Sequence, residues 1–291
     1  MAQQLVVLQS LWAMERRHTD GVERSLEQNL AMILEAGFDG VSMTCLDPAA
    51  ARRTAAVLKP QGKLMEVQCF PRSVDDLKPV LELCTELGVY YLDIQADVRP
   101  RRVADCIPLL EGWRRLAEQV SFPVYFETHR DRMTTDLYFT LDLLECFPDL
   151  KLLGDLSHFL VGREFAVPVS AENHAYMHRI IDHCWAFHGR VASREQVQVE
   201  ISFPHNKVWM DLFLSWWEYG FRSWSRRAQP DQSLAFVCEL GPKPYAIAGP
   251  DGNDASDRWM EALMMKDAIR ALWSRIAGNG FATQGTYSHR G

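Results

Sequence analysis

No CxxC or other close cysteine pair occurs in this sequence; its seven cysteines (Cys45, Cys69, Cys84, Cys106, Cys146, Cys184, Cys238) are odd in number and scattered. That argues against a disulfide framework and against a zinc ribbon, and it fits reduced, mostly buried thiols. A basic excess is missing as well. The formal net charge of −7 disfavours nucleic acid as a partner, although a local basic pocket for a small anion remains compatible with it. No apolar run reaches the roughly 18 residues of a membrane span, and the opening MAQQLVVLQSLWAM has neither the basic start nor the long apolar core of a signal peptide. The expectation is a soluble cytoplasmic protein with no nucleic-acid and no membrane partner. No linker, low-complexity tract or charge run marks a domain boundary, so residues 1–291 are expected to form one domain.

What the sequence does have is alternation. Strand-like apolar runs fall at 5–11, 38–45, 63–70, 89–96, 123–129, 150–158, 184–192 and 233–240. Between them lie amphipathic stretches. SLEQNLAMILEAG and DDLKPVLELCTELG carry apolar residues three and four apart and end at Gly37 and Gly88, while TTDLYFTLDLLECFP starts from a capping Thr or Asp and stops at Pro148. Eight such units predict a (β/α)8 TIM barrel of the α/β class, for which about 250 residues are typical. An open doubly wound sheet is the alternative, weakened because no strand is followed by GxGxxG or GxxxxGK[ST]. After the seventh strand a long loop at about 193–206 is expected over the barrel mouth. The aromatic stretch KVWMDLFLSWWEYGFRSW that follows reads as a helix packed on the barrel wall, with a lid or subunit contact as the other reading.

Four of the last runs close on a metal-ligand type: Glu127 in VYFETH, Asp155 in LLGDLSH, His188 in AFHGRV and Glu239 in FVCELGP. A carboxylate at the end of an apolar strand is costly unless something satisfies it. Two carboxylates about 5 Å apart repel by roughly 3 kcal/mol at an effective dielectric near 20, so three meeting in a barrel mouth call for a cation or shared protons. Taken singly, each has an ordinary explanation. Glu127 could pair with Arg130 or Arg132, Asp155 could cap a helix, His188 could be a core histidine, and Glu239 could pair with Lys243. At equivalent positions on four consecutive strands they read together as one divalent-metal site. Three oxygens and one nitrogen suit Mn²⁺, which is favoured, with Mg²⁺, Co²⁺ and Zn²⁺ as alternatives.

This pattern resembles the xylose isomerase-like TIM-barrel superfamily, in particular its sugar phosphate isomerase/epimerase branch, which includes ketose 3-epimerases and hydroxypyruvate isomerase; inosose dehydratase and endonuclease IV are further relatives. The resemblance rests on Glu127, on Asp155–Leu156–Ser157–His158, on His188 with Arg194 six residues on, and on Glu239. It implies that Glu127, Asp155, His188 and Glu239 ligate one metal ion and that His158 and Arg194 bind substrate oxygen. It also implies that Glu127 and Glu239 are catalytic, exchanging protons with the substrate carbon. Arg190 competes with Arg194 for the substrate-facing role, and the spacing favours Arg194. His129, Arg130 and Arg132 depart from the epimerase pattern; they fit either an acidic group on the substrate or a solvated loop paired with Asp131. His205 is a further substrate-binding candidate from the long loop. Asp93 and Gln95 are candidate hydrogen-bonders, and Trp12 and Phe70 candidate walls. The strand ends that carry histidines in the three-zinc endonuclease offer only Cys69 with Phe70 and Asp93 with Gln95 here, which implies one metal rather than three.

The expected activity is a metal-dependent isomerase or epimerase acting on a keto sugar or related polyhydroxy carbonyl compound, by proton transfer through a metal-bound enediolate. A metal-dependent dehydratase of an inosose- or dehydroshikimate-like substrate is the second reading, and a sugar-binding barrel without turnover the third. The expected partner is a small sugar or polyhydroxy acid; a homodimer or homotetramer is a fold-level expectation.

Overall fold

Eight parallel strands close into a barrel in sequence order in the computed structural model, which describes residues 3–17 and 22–280. They are β1 (Gln4–Ser10), β2 (Gly40–Thr44), β3 (Leu64–Cys69), β4 (Tyr91–Ile94), β5 (Val124–Glu127), β6 (Leu152–Gly154), β7 (Cys184–Gly189) and β8 (Ser233–Cys238). Closure comes from β1 against β8, in register from Gln4↔Ser233 to Gln9↔Cys238. The helices among the described residues are α1 (Leu26–Glu35), α2 (Pro48–Leu58), α3 (Val74–Leu87), α4 (Ile107–Ala117), α5 (Leu137–Cys146), α6 (Ser157–Gly162), α7 (Ala171–Ile181), α8 (Lys207–Arg227) and α9 (Arg258–Gly280).

The helix ends follow from local chemistry. At α1, Ser25 and Gln28 form a reciprocal capping box. At α5 the cap is Asp136, which accepts from the Tyr138 and Phe139 amides. α3 ends at Gly88 with φ +61°, a left-handed turn that costs glycine nothing. The aromatic stretch is α8, whose Phe213, Trp216, Trp217, Phe221 and Trp224 are fully buried. Trp217 and Phe221 both pack on Phe236 of β8, so these rings are barrel wall.

The sixth unit departs from the expected run of 150–158. β6 ends at Gly154, because Asp155 Oδ1 accepts from the Ser157 amide (3.1 Å) and hydroxyl (2.5 Å) and turns the chain directly into α6. The helix expected between β6 and β7 is thereby split into α6 and α7.

Period-two alternation sorts each strand into an outward residue under a helix and an inward residue. The lower interior is filled by Leu8, Tyr91, Tyr125, Leu153, Ala186, Ala235 and Val237. Two residues further along these strands come Asp93, Glu127, Asp155, His188 and Glu239. The apolar floor and the polar mouth are therefore successive layers of one barrel, and the mouth lies at the C-terminal ends of the strands.

Candidate metal centre

Glu127, Asp155, His188 and Glu239 converge at that mouth, all buried, with one ligand atom from each lying within 4.8 Å of the others. Donors at about 2.1 Å from a common ion lie up to about 4.2 Å apart, so the four are gathered on the scale of one ion's coordination shell. His188 Nδ1 faces Glu239 Oε2 at 3.1 Å and Glu127 Oε1 at 3.6 Å, yet it makes no hydrogen bond. On the far side of the ring, Nε2 lies 3.2 Å from Glu66 Oε1. A proton held there by Glu66 leaves the Nδ1 lone pair aimed at the acidic oxygens, the arrangement in which a carboxylate orients a metal-binding imidazole. The donor set, three carboxylates and one imidazole nitrogen turned toward them, fits a divalent cation.

The carboxylates are held by donors rather than by solvent. Glu127 Oε2 accepts from Gln68 Nε2 (2.9 Å) and Gln95 Nε2 (2.8 Å), and Gln95 is in turn fixed by Arg132 Nε at 3.0 Å. Arg190 lies wholly inside the cluster. Its Nε donates to Asp155 Oδ2 (3.1 Å), its Nη2 to Glu239 Oε2 (2.7 Å) and its Nη1 to Gln198 Oε1 (3.0 Å). Its guanidinium packs over the rings of Trp12 and Tyr245, at 5.4 and 4.6 Å from their centroids. Trp12 and Tyr245 meet edge to face at 5.2 Å. Gly241 makes that seat possible, since a Cβ there would lie 2.1 Å from the Trp12 ring.

Electrostatics divide the acids. Burial opposes charge at Glu127, but the His188 imidazole outweighs it and draws the carboxyl down to about 2. Asp155 is likewise buried, and His158 and Arg190 hold it well below the ordinary carboxylate range. Asp93 goes the other way, pushed far up by burial and by the Glu127 charge. Burial works against protonation of His188, yet Glu239 and Glu66 raise its pKa well above the ordinary value. His129, by contrast, is pulled down to about 3 by burial and by the neighbouring His158.

Of the residues singled out from the sequence, the structure brings Glu127, Asp155, His188, Glu239, His158, His129 and Arg190 together. His158 Nε2 stands 3.3 Å from Asp155 Oδ2, and the His129 and His158 rings stack with centroids 3.8 Å apart. Arg194 and His205 are not brought in. Beyond Ala192 the chain folds back, with Ser193 N bonded to Gln196 O and Val199 N to Val191 O. That turn leaves Arg194 at its tip, its side chain 47% exposed and facing Glu164 and Glu195. His205 is exposed on the 3-10 turn Pro204–Asn206 that leads into α8, its ring beside Phe203. The segment after β7 instead sends Gln198 inward, where it bonds Gly241 N and O and so ties the loops after β7 and β8.

Sequence reasoning missed Glu66 and Gln68. They lie on β3, two residues apart and both facing inward, as the pattern M-E-V-Q-C could have shown. A carboxylate in the middle of a buried strand is a stronger signal than one at its end.

No family model and no curated protein matches the chain. Solved structures do. A xylose isomerase-like TIM barrel protein from Mycobacterium smegmatis, in complex with magnesium, superposes with a TM-score of 0.55 at 13% identity over 92% of this chain and 98% of that one. A xylose isomerase domain protein from Planctomyces limnophilus gives 0.51 at 10% identity, over 96% and 97%. The chain thus has the fold of the xylose isomerase-like barrels. None of the described helices is long and apolar enough to cross a membrane.

Proposed function

We propose that this protein is a divalent-metal-dependent isomerase or epimerase of a keto sugar or related polyhydroxy carbonyl compound. The observation that carries the reading is the buried cluster of Glu127, Asp155, His188 and Glu239, with His188 Nδ1 turned to the carboxylate oxygens of Glu239 and Glu127. A magnesium-bound neighbour with the same fold is in keeping with it. Glu127, Asp155, His188 and Glu239 would hold the ion, with Mn²⁺ favoured and Mg²⁺, Co²⁺ or Zn²⁺ as alternatives. Bound there, a divalent ion would polarise the substrate carbonyl and ease the negative charge that grows as the α-proton leaves.

The chain's own groups supply the rest. Glu127 and Glu239 reach the mouth from strands separated by β6 and β7, so they approach a substrate from different sides. Glu127, its Oε2 held by two amides and its Oε1 turned to the centre, is the carboxylate that takes the proton. Glu239 returns one to the other face, which inverts the carbon; return by the same carboxylate moves or exchanges the proton without inversion. Arg190, fixed on Glu239 and Asp155, sets the position of both carboxylates, while His129 and His158 face the same space and can hold substrate oxygen.

One observation keeps the dehydratase reading open. Arg130 lies 5.4 Å from the Tyr245 centroid, next to the Arg190 site, and has no carboxylate partner among the described residues. A carboxylate on the substrate would match it. Incubation of the Mn²⁺-loaded enzyme with a ketose panel in D₂O separates the two. Deuterium at the α-carbon with no other change of mass is expected; loss of water from an acidic substrate would replace isomerisation by elimination. Neither label nor loss across ketoses and polyhydroxy keto acids would overturn the reading.

A further inference from the structure

We propose a second cation site beside the first, built from Glu127, His129 and His158 and suited to Zn²⁺ or another late first-row divalent ion. It rests on the reading above in sharing Glu127, and it goes beyond the single ion.

One ligand atom from each of the three side chains lies within 4.8 Å of the others. His129 is already set in the form a metal needs. Its Nδ1 lies 2.5 Å from the Arg130 carbonyl oxygen; a carbonyl only accepts, so Nδ1 carries the proton and Nε2 presents a lone pair. A backbone carbonyl on the remote nitrogen is a common partner of a metal-bound imidazole. His158 gives the independent sign. It is buried at 1% exposure; its Nε2 stands 3.3 Å from Asp155 Oδ2, and its Nδ1 has no hydrogen-bond partner. A buried ring nitrogen left without a partner is costly unless something engages it. The two rings lie 3.8 Å apart between centroids, tilted by 46°, and one nitrogen of each lies within 4.8 Å of a Glu127 oxygen.

The loop that carries His129 is braced. Its amide donates to Thr134 Oγ1 (3.0 Å), and that hydroxyl donates to the Glu127 carbonyl (2.6 Å). Asp131 takes the left-handed conformation, φ +55°, and its amide donates to Thr135 Oγ1 at 3.1 Å. His129 is thereby held against the barrel mouth rather than left to search for it.

The two sites differ in chemistry. Three carboxylates and one imidazole accept hard and borderline ions alike, whereas two imidazoles and one carboxylate favour Zn²⁺, Co²⁺ or Ni²⁺ over Mg²⁺, which demands oxygen. Metal-stripped protein titrated with Mg²⁺ alone should bind one ion per chain, and with Zn²⁺ alone two. His129→Gln, a substitution in a half-exposed loop, should reduce the zinc count to one and leave the Mg²⁺ count unchanged. Anomalous diffraction at the zinc edge from wild-type crystals should show a peak among Glu127, His129 and His158, which keeps the test independent of how any variant folds. One zinc per chain in the wild type, or an unchanged count in His129→Gln, overturns the inference. If Glu239→Gln loses an ion where His129→Gln loses none, the second site alone is wrong. If the wild type binds no ion at all, the first reading falls with it.

Discussion

Among single residues, His188 and Glu66 set how the candidate centre meets a cation. Glu66 holds Nε2 at 3.2 Å, and in the metal-free state Glu239 and Glu66 overcome burial to raise the imidazole pKa well above its ordinary value. The sign of the pH dependence follows. Protonation of His188, favoured by that raised pKa, competes with the metal for the ring nitrogen, so binding releases protons, up to about one per ion. Affinity should rise about tenfold per pH unit until the pH passes the raised pKa. Calorimetry with Mn²⁺ in buffers of different ionisation enthalpy measures that release directly; binding without proton release would refute the His188 assignment. Glu66→Gln keeps a hydrogen-bond acceptor and removes the charge. It should weaken the metal by at least about tenfold, the lower end of the 10–100-fold usual for groups that orient a ligand, and should also cut the proton release.

On the level of elements, the rule that made the site readable was parity along a strand. Glu127, Asp155, His188 and Glu239 each follow, two residues on, an inward apolar residue of the barrel floor (Tyr125, Leu153, Ala186, Val237). Reading each strand to its last apolar residue was enough to find them. The same parity puts Arg190 on the inward face after Ala186 and His188, whereas a spacing of six residues favoured Arg194, which lies exposed at a turn tip, because counting residues across a turn carries no direction. Glu66 and Asp93 escaped as ligand types because they sit within their strands, where alternation rather than the strand end gives the signal. His205 lies away from the mouth for a related reason. α8 begins two residues later, and its aromatic face turns into the barrel wall. That packing predicts that Trp217→Ala, which empties a fully buried position against Phe236, costs about 3–5 kcal/mol of stability. Chemical denaturation measures it. A loss below about 1 kcal/mol, with activity changed instead, would restore the lid reading of this segment.

Over the whole molecule, the barrel solves a problem that its own sequence creates. Five inward carboxyl groups (Glu66, Asp93, Glu127, Asp155, Glu239) share one mouth with Arg190, His188 and His158. The closed ring of strands keeps them there by tying the loops beyond it. Gln198 joins the connections after β7 and β8, and buried Arg258 donates to the carbonyls of Leu240 and Glu15 (3.2 and 2.7 Å), linking the end of β8 to the turn after β1. The fold was legible because eight strand–helix units repeat one pattern. The loops that shape the mouth were not, because their course depends on contacts such as Trp12 with Tyr245 and Gly241, which lie far apart in the chain. The central claim is that Glu127, Asp155, His188 and Glu239 together hold a divalent cation. Anomalous diffraction from crystals soaked in Mn²⁺ tests it at the atoms concerned. A manganese peak is expected within about 2.0–2.3 Å of a carboxylate oxygen from each acid and of His188 Nδ1, and a barrel mouth with no such peak, Arg190 still bridging Asp155 and Glu239, would contradict the claim.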